Sequence, residues 1–430
     1  MINALILRIK FPQAMVKYIT SILIILFCSS IEAQGQMLWK KMDANVGAET
    51  GKNANGINNP NSKKVFQLND AFLKQLLVST ETNSDKVKGA EITIPNSTGE
   101  LEKYYVWESS NFEPELQAKF PEIRAYSGVG ITDKTATLHF SVSPKGIETM
   151  VLRANSASEF MDPTSGESLY TLKSGANGEK GMLPLNCKTE DVVINKQLLN
   201  QTGKMASNTK IFKTLRLALS CTGEYTTYHG GTIALALAAM NATMTRVNGV
   251  FNKDLAVKLV IIGNNNLIMY TDALTDPYSD STAGAGGSWS QELQTNLTNT
   301  ITNNGYDVGH LFGASGGGGN AGCIGCVCVA PTGAVPLGKG SAYTSPSDNK
   351  PEGDTFDIDF VAHELGHQLG ANHSYSYALE GTGVNVEPGS GSTIMGYAGI
   401  TSDYDVQNFS DDYFAYAKTT ASNKAWRTSC

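Results

Sequence analysis

At 430 residues the chain has room for two or three domains of about 150 residues each. Its 40 acidic residues outnumber 33 basic ones, and a net charge of −7 argues against the basic field that nucleic-acid binders carry. Charged residues make up 17% and hydrophobic residues 41%, so disordered and fibrous classes are excluded and a globular chain with many glycine turns remains.

At the N-terminus Lys10 and Lys17 precede an apolar run, Ile19 to Phe27, and small residues follow to Ala33. This pattern predicts a secretory signal over 1–33, and the run is shorter than the roughly 20 residues a membrane span needs. The expected mature protein is therefore secreted, with no membrane span. Cys28 leaves with the signal. For most of Cys187, Cys221, Cys323, Cys326, Cys328 and Cys430 an oxidising compartment makes disulfides the default. Cys323-x-x-Cys326 has no second CxxC partner, so disulfides are expected there in preference to structural zinc.

Residues 34–80 are rich in Asn, Gly and Lys, with one short amphipathic stretch at Phe72, Leu73, Leu76 and Leu77. From about 90 to 172, short alternating runs such as Tyr104–Trp107 and Ala136–Val142, separated by turn signals, predict strands. The polar stretch 174–208 reads as a linker. A new pattern then opens. Leu215, Leu217 and Leu219 alternate as in a strand, and Ile233, Leu237, Met240, Met244, Val247 and Phe251 recur as in an amphipathic helix. A β-branched strand, Val257–Ile262, is followed by a helical stripe at Trp289, Leu293, Leu297 and Ile301, and then by a strand over Tyr306–Phe312. This order predicts an α/β layered domain from about residue 209. The run Gly316–Gly319 lacks the ending of a phosphate loop and is expected to be a flexible rim loop.

The decisive stretch is Val361-Ala-His363-Glu364-Leu-Gly-His367-Gln-Leu-Gly370-Ala-Asn-His373. On a helix, residues four apart share a face, so His363 and His367 can grip one metal ion. Glu364 lies about 100° around the axis, beside the metal without being obliged to ligate it. Gly370 can take a backbone conformation that ends the helix and returns His373 as a third nitrogen ligand. Three ligands leave one position open, as in catalytic zinc. His139, His229 and His310 show no ligand spacing.

This HExxHxxGxxH run is the signature of the metzincin metallopeptidases, and Ser392-Thr-Ile-Met395-Gly-Tyr397 resembles their Met-turn at Met395. The segments Gly353–Ala362 and Glu113–Gly128 are similar to the active-site approach and propeptide of bacterial reprolysin-like (adamalysin-type) members. The resemblance implies an α/β (α+β) zincin domain with a twisted mixed sheet over 209–430, preceded by a β-rich propeptide over 34–208. It implies one catalytic Zn2+, protein or peptide substrates, and a zinc-activated water deprotonated by Glu364 as general base. Tyr397 resembles the tyrosine that astacins and serralysins place near zinc as an extra ligand or oxyanion stabiliser; packing under the pocket is the alternative. The cleft's upper edge is expected between Cys326 and Thr344. The chain stops at Cys430, so no further domain is expected after the catalytic one.

Latency is expected from the N-terminal region, with a cut near Lys204–Lys210. Cys187, as a cysteine switch, or Asp191 would then block the metal. Calcium is neither indicated nor excluded. The competing expectations are a surface adhesion protein that keeps a degenerate protease fold, and a hydrolase of non-peptide amides.

Overall fold

The computed structural model describes residues 37–42, 64–78, 80, 88–164, 168–175, 187–189 and 212–415. The expected signal over 1–33, Asp191, the Lys204–Lys210 cut and Cys430 lie outside these residues.

The alternating runs of the N-terminal half form one antiparallel sheet. Its strands are Trp39–Lys41 (β1), Lys64–Leu68 (β2), Ala90–Pro95 (β3), Leu101–Glu108 (β4), Arg124–Gly130 (β5), Thr137–Ser143 (β6), Gly146–Leu152 (β7), Glu159–Pro163 (β8) and Leu169–Ser174 (β9). Their order across the sheet is β1-β2-β9-β8-β7-β6-β5-β4-β3. The amphipathic stretch near Phe72 is a helix, Asp70–Val78, which buries Leu73 and Leu77.

The second sheet holds Lys213–Cys221 (β10), Val257–Ile261 (β11), Val308–Phe312 (β12), Gly318–Asn320 (β13) and Ala342–Ser345 (β14), in the order β11-β10-β12-β14-β13. All its pairings are parallel except β13 with β14. It is therefore a mixed sheet with crossover helices, as expected. Alternation decides the faces. Ala218 turns toward Trp289, Leu293 and Leu297 of the helix Trp289–Thr300, whereas Leu217 and Leu219 join the main core with the helix Ile233–Asp254.

That long helix starts where the Thr232 hydroxyl accepts the Leu235 amide. Its apolar stripe packs as expected. Its polar face is buried as well, because the helix also packs against β5, β6 and β7. Asn241, Thr245, Arg246 and Asn248 are each at most 4% exposed, which a solvent-facing stripe would not be.

The structure corrects one expectation. The glycine run is not a loose rim loop: Gly318–Asn320 pairs with β14 as the last strand of the sheet. β13 is thus an outer strand of this sheet, and the stretch from Cys326 to Thr344 contributes to it only the first residues of β14. Cys323 and Cys326 are joined in a disulfide. Cys221 is a free buried thiol whose Sγ lies 3.3 Å from Thr226 Oγ1.

Candidate metal centre

The approach Thr355–Ala362 coils in wide π-type turns and runs directly into the α-helix His363–Gln368. Phe356, Ile358, Phe360, Val361, Leu365 and Leu369 anchor it in the core. Gly370, at φ +96°, occupies the left-handed region that glycine favours. Its amide donates to His367 O, and the Ala371 amide donates to Gly366 O. This glycine-capped ending turns the chain back, and His373 arrives beside the other two histidines.

The three imidazoles converge through one nitrogen each. His367 Nε2 lies 3.2 Å from His363 Nε2 and 3.1 Å from His373 Nε2. The opposite nitrogens are all engaged. His363 Nδ1 is 2.6 Å from Ile394 O, His367 Nδ1 is 2.7 Å from Ala371 O, and His373 Nδ1 is 3.0 Å from Glu380 Oε1. An Nδ1–H donated outward leaves the Nε2 lone pair for a metal, so these contacts fix the tautomer that ligation needs.

Cys187 completes the group. Its Sγ lies 3.7 Å from His367 Nε2 and 3.6 Å from His373 Nε2, and all four donor atoms fall within 4.8 Å of one another. Tetrahedral zinc, with Zn–N near 2.05 Å and Zn–S near 2.3 Å, needs N···N separations of about 3.3 Å and N···S of about 3.6 Å. The donor set fits zinc in chemistry and in spacing.

The Cys187–Thr189 strap lies along the outer edge of β13. The Lys188 amide donates to Gly319 O at 2.8 Å, and the Asn320 side-chain amide donates to Lys188 O at 3.3 Å. The Thr189 hydroxyl donates to Glu364 Oε2 at 3.3 Å and accepts the Ala321 amide at 3.0 Å. One strap residue therefore meets the imidazoles and another meets the buried carboxylate. With protein groups alone, burial and then the Glu364 charge push the Cys187 thiol well above its ordinary value. A bound divalent cation reverses that balance, since a coordinating thiol is deprotonated.

Tyr397 reaches the same point. Its hydroxyl is 3.0 Å from His373 Nε2 and hydrogen-bonds the Cys187 thiol. Burial, followed by Cys187, raises its ionisation well above the usual phenol range. Met395 is fully buried below the histidines and packs on Gly366, where a Cβ would come 2.8 Å from its Sδ.

Two carboxylates that brace this site stand outside the motif and gave no sequence signal. Glu380 accepts from Tyr375 OH at 2.6 Å while facing His373. Glu387 accepts the Ser392 and Thr393 amides at 2.7 and 3.0 Å and so holds the Met395 turn. Burial works against the Glu387 charge, but hydrogen bonds from Thr393, Ser374 and Ser392 keep its ionisation below the usual range. The other histidines sit elsewhere. His310, for example, spans Gln368 Oε1 and Thr344 Oγ1, both at 2.9 Å.

The sequence profile of metallopeptidase family M12B, reprolysin-like, matches residues 211–425, half of the chain. The chain belongs to this family. M12B enzymes are zinc-dependent metallopeptidases, which identifies this chain as a metalloprotease acting on protein substrates. Among curated proteins no match was found. No helix among the described residues is long and apolar enough to cross a membrane.

Proposed function

We propose that the chain is a secreted zinc endopeptidase made in a latent form. The observation that carries this reading is the convergence of three Nε2 atoms and one thiol beside a fully buried glutamate. His363, His367 and His373 would hold the zinc ion, with Cys187 in the fourth position of the latent chain. Zinc held there supplies Lewis-acid polarisation of a carbonyl and a lowered pKa for water.

The chain's own residues do the rest. Glu364 takes the proton of the attacking water on a carboxylate oxygen and returns it to the leaving amine nitrogen. The Tyr397 hydroxyl is positioned to donate to the oxyanion as charge develops. The outer edge of β13, with Gly319 O pointing outward, would bind an extended substrate as an added strand. The strap already occupies that edge, and the Thr189 hydroxyl occupies Glu364, so latency has both a metal-facing and a base-facing contact.

Export is supported by the apolar run before Ala33 and by the Cys323–Cys326 disulfide. The test compares three full chains on unfolded casein. The parent is expected to be silent and Cys187→Ala, which removes the metal-facing contact alone, partly active. The double variant Cys187→Ala with Glu364→Ala is expected to be silent while holding one zinc per chain. If the double variant cleaves like the single one, the base assignment fails.

A further inference from the structure

The two sheets are joined by more than the chain between them. Asn111–Glu113 adds to the outer edge of β11 as an extra strand: the Ile261 amide donates to Asn111 O at 2.7 Å and the Glu113 amide donates to Ile261 O at 2.9 Å. The Asn111 side chain, 2% exposed, enters the polar face of the long helix. Its amide donates to Asn241 O, Asn241 Oδ1 and Thr245 Oγ1, and its carbonyl accepts from Asn248 Nδ2 at 3.0 Å.

Further along the same helix, Arg246 is 1% exposed and pairs on one side with Asp162 of β8 and on the other with Asp357 of the active-site approach. Gly249 lies against the His139 ring, where a Cβ would come 2.8 Å from Cδ2. Phe112, Leu116, Ile123, Met150, Leu152 and Phe160 share one continuous core with the long helix and β10–β12. Obligate interfaces resemble a domain core cut in half, and this one has that character. Stripping the N-terminal sheet away would leave Arg246 without Asp162, the Asn241–Asn248 face without its partner, and an open edge on β11.

The strap differs. Among the described residues of its segment, Cys187–Thr189 lie along one edge strand, and Cys187 is half-buried.

We propose that residues 39–175 are a permanent, noncovalently held subunit of the mature enzyme, and that latency resides in the Cys187–Thr189 strap alone. Activation then removes the strap and leaves the first sheet in place. The second half of this proposal rests on the protease reading above; the first half does not.

The test places sites for a sequence-specific protease at 176–186 and at 190–211 of the full chain. A cut at the second site alone is expected to leave a latent 1:1 complex on gel filtration at micromolar concentration. Cuts at both sites are expected to shed the strap and switch on casein cleavage while the fragments on its two sides still co-elute. Elution of the two fragments apart, folded or aggregated, overturns the proposal. So does activity confined to material lacking the first sheet. In the doubly cut complex, Asn111→Asp sets a carboxylate against the Asn241 oxygens and should raise the dissociation constant at least about tenfold; an unchanged constant overturns the role given to this clasp. Co-elution is read without any activity assay. A strap-free complex that holds zinc and cleaves nothing would therefore sink the protease reading and leave the subunit arrangement standing.

Discussion

Glu380 shows why a motif names ligands but not their supports. His363 and His367 direct Nδ1 at backbone carbonyls, which no side-chain substitution removes, whereas His373 relies on a carboxylate. Glu380→Gln should keep the fold and weaken zinc binding by about 10–100-fold, as removal of a ligand-orienting partner does elsewhere. Competition with a chromogenic chelator on the full chain measures this, and parent-like affinity would remove Glu380 from the site. At this scale helical spacing was the strongest sequence signal, with Cys187, Met395 and Tyr397 named by composition and resemblance. The i, i+4 histidines and Gly370 could be placed because helix geometry fixes them. Glu380, Glu387 and Thr189 reach the site through loop geometry, which carries no periodic signal.

At the scale of elements, β13 is the clearest departure from expectation. Strands are recognised by alternation of side chains across two faces, and Gly318-Gly319 has no side chains to alternate. The glycine at 319 has a steric reason: a Cβ there would collide with Glu364 Oε1. Gly319→Ala should therefore displace the carboxylate. Since misplacing a catalytic group by about 1 Å can cost 100-fold, kcat/KM of the strap-free enzyme should fall by about that factor with zinc content unchanged. Turnover at the parent rate would show that the edge tolerates the methyl group. The long helix taught a related lesson. Its apolar stripe was legible, but nothing local reveals that Asn111 and Asp162 will meet its polar face.

Over the whole molecule, three histidines outside the metal group are stored neutral. Burial pulls His139 down to about 4, His229 to about 4 and His310 to about 4, from 6.5. Their folded values lie below their unfolded ones, so the unfolded chain takes up protons first as pH drops. The penalty at each is absent above about pH 6.5, grows between 6.5 and 4, and is complete below that window. Buried Asp359 and half-buried Glu148, each pushed up to about 7 chiefly by desolvation, act in the opposite sense: their protonation on acidification from pH 7 favours the folded state. Proton NMR of the imidazole resonances is expected to show no titration of these three rings above about pH 5. A midpoint near 6.5 in any of them would mean that its site is open to water.

Three imidazoles and a thiol from a distant segment converge on a single point, and the proposed latent zinc site depends on that convergence. X-ray absorption at the zinc edge of the zinc-loaded full chain tests it most directly. The predicted shell holds three nitrogens at about 2.0–2.1 Å and one sulfur at about 2.3 Å. A shell of nitrogen and oxygen without sulfur would contradict the latent arrangement, and a chain unable to retain one zinc would contradict the metal centre itself.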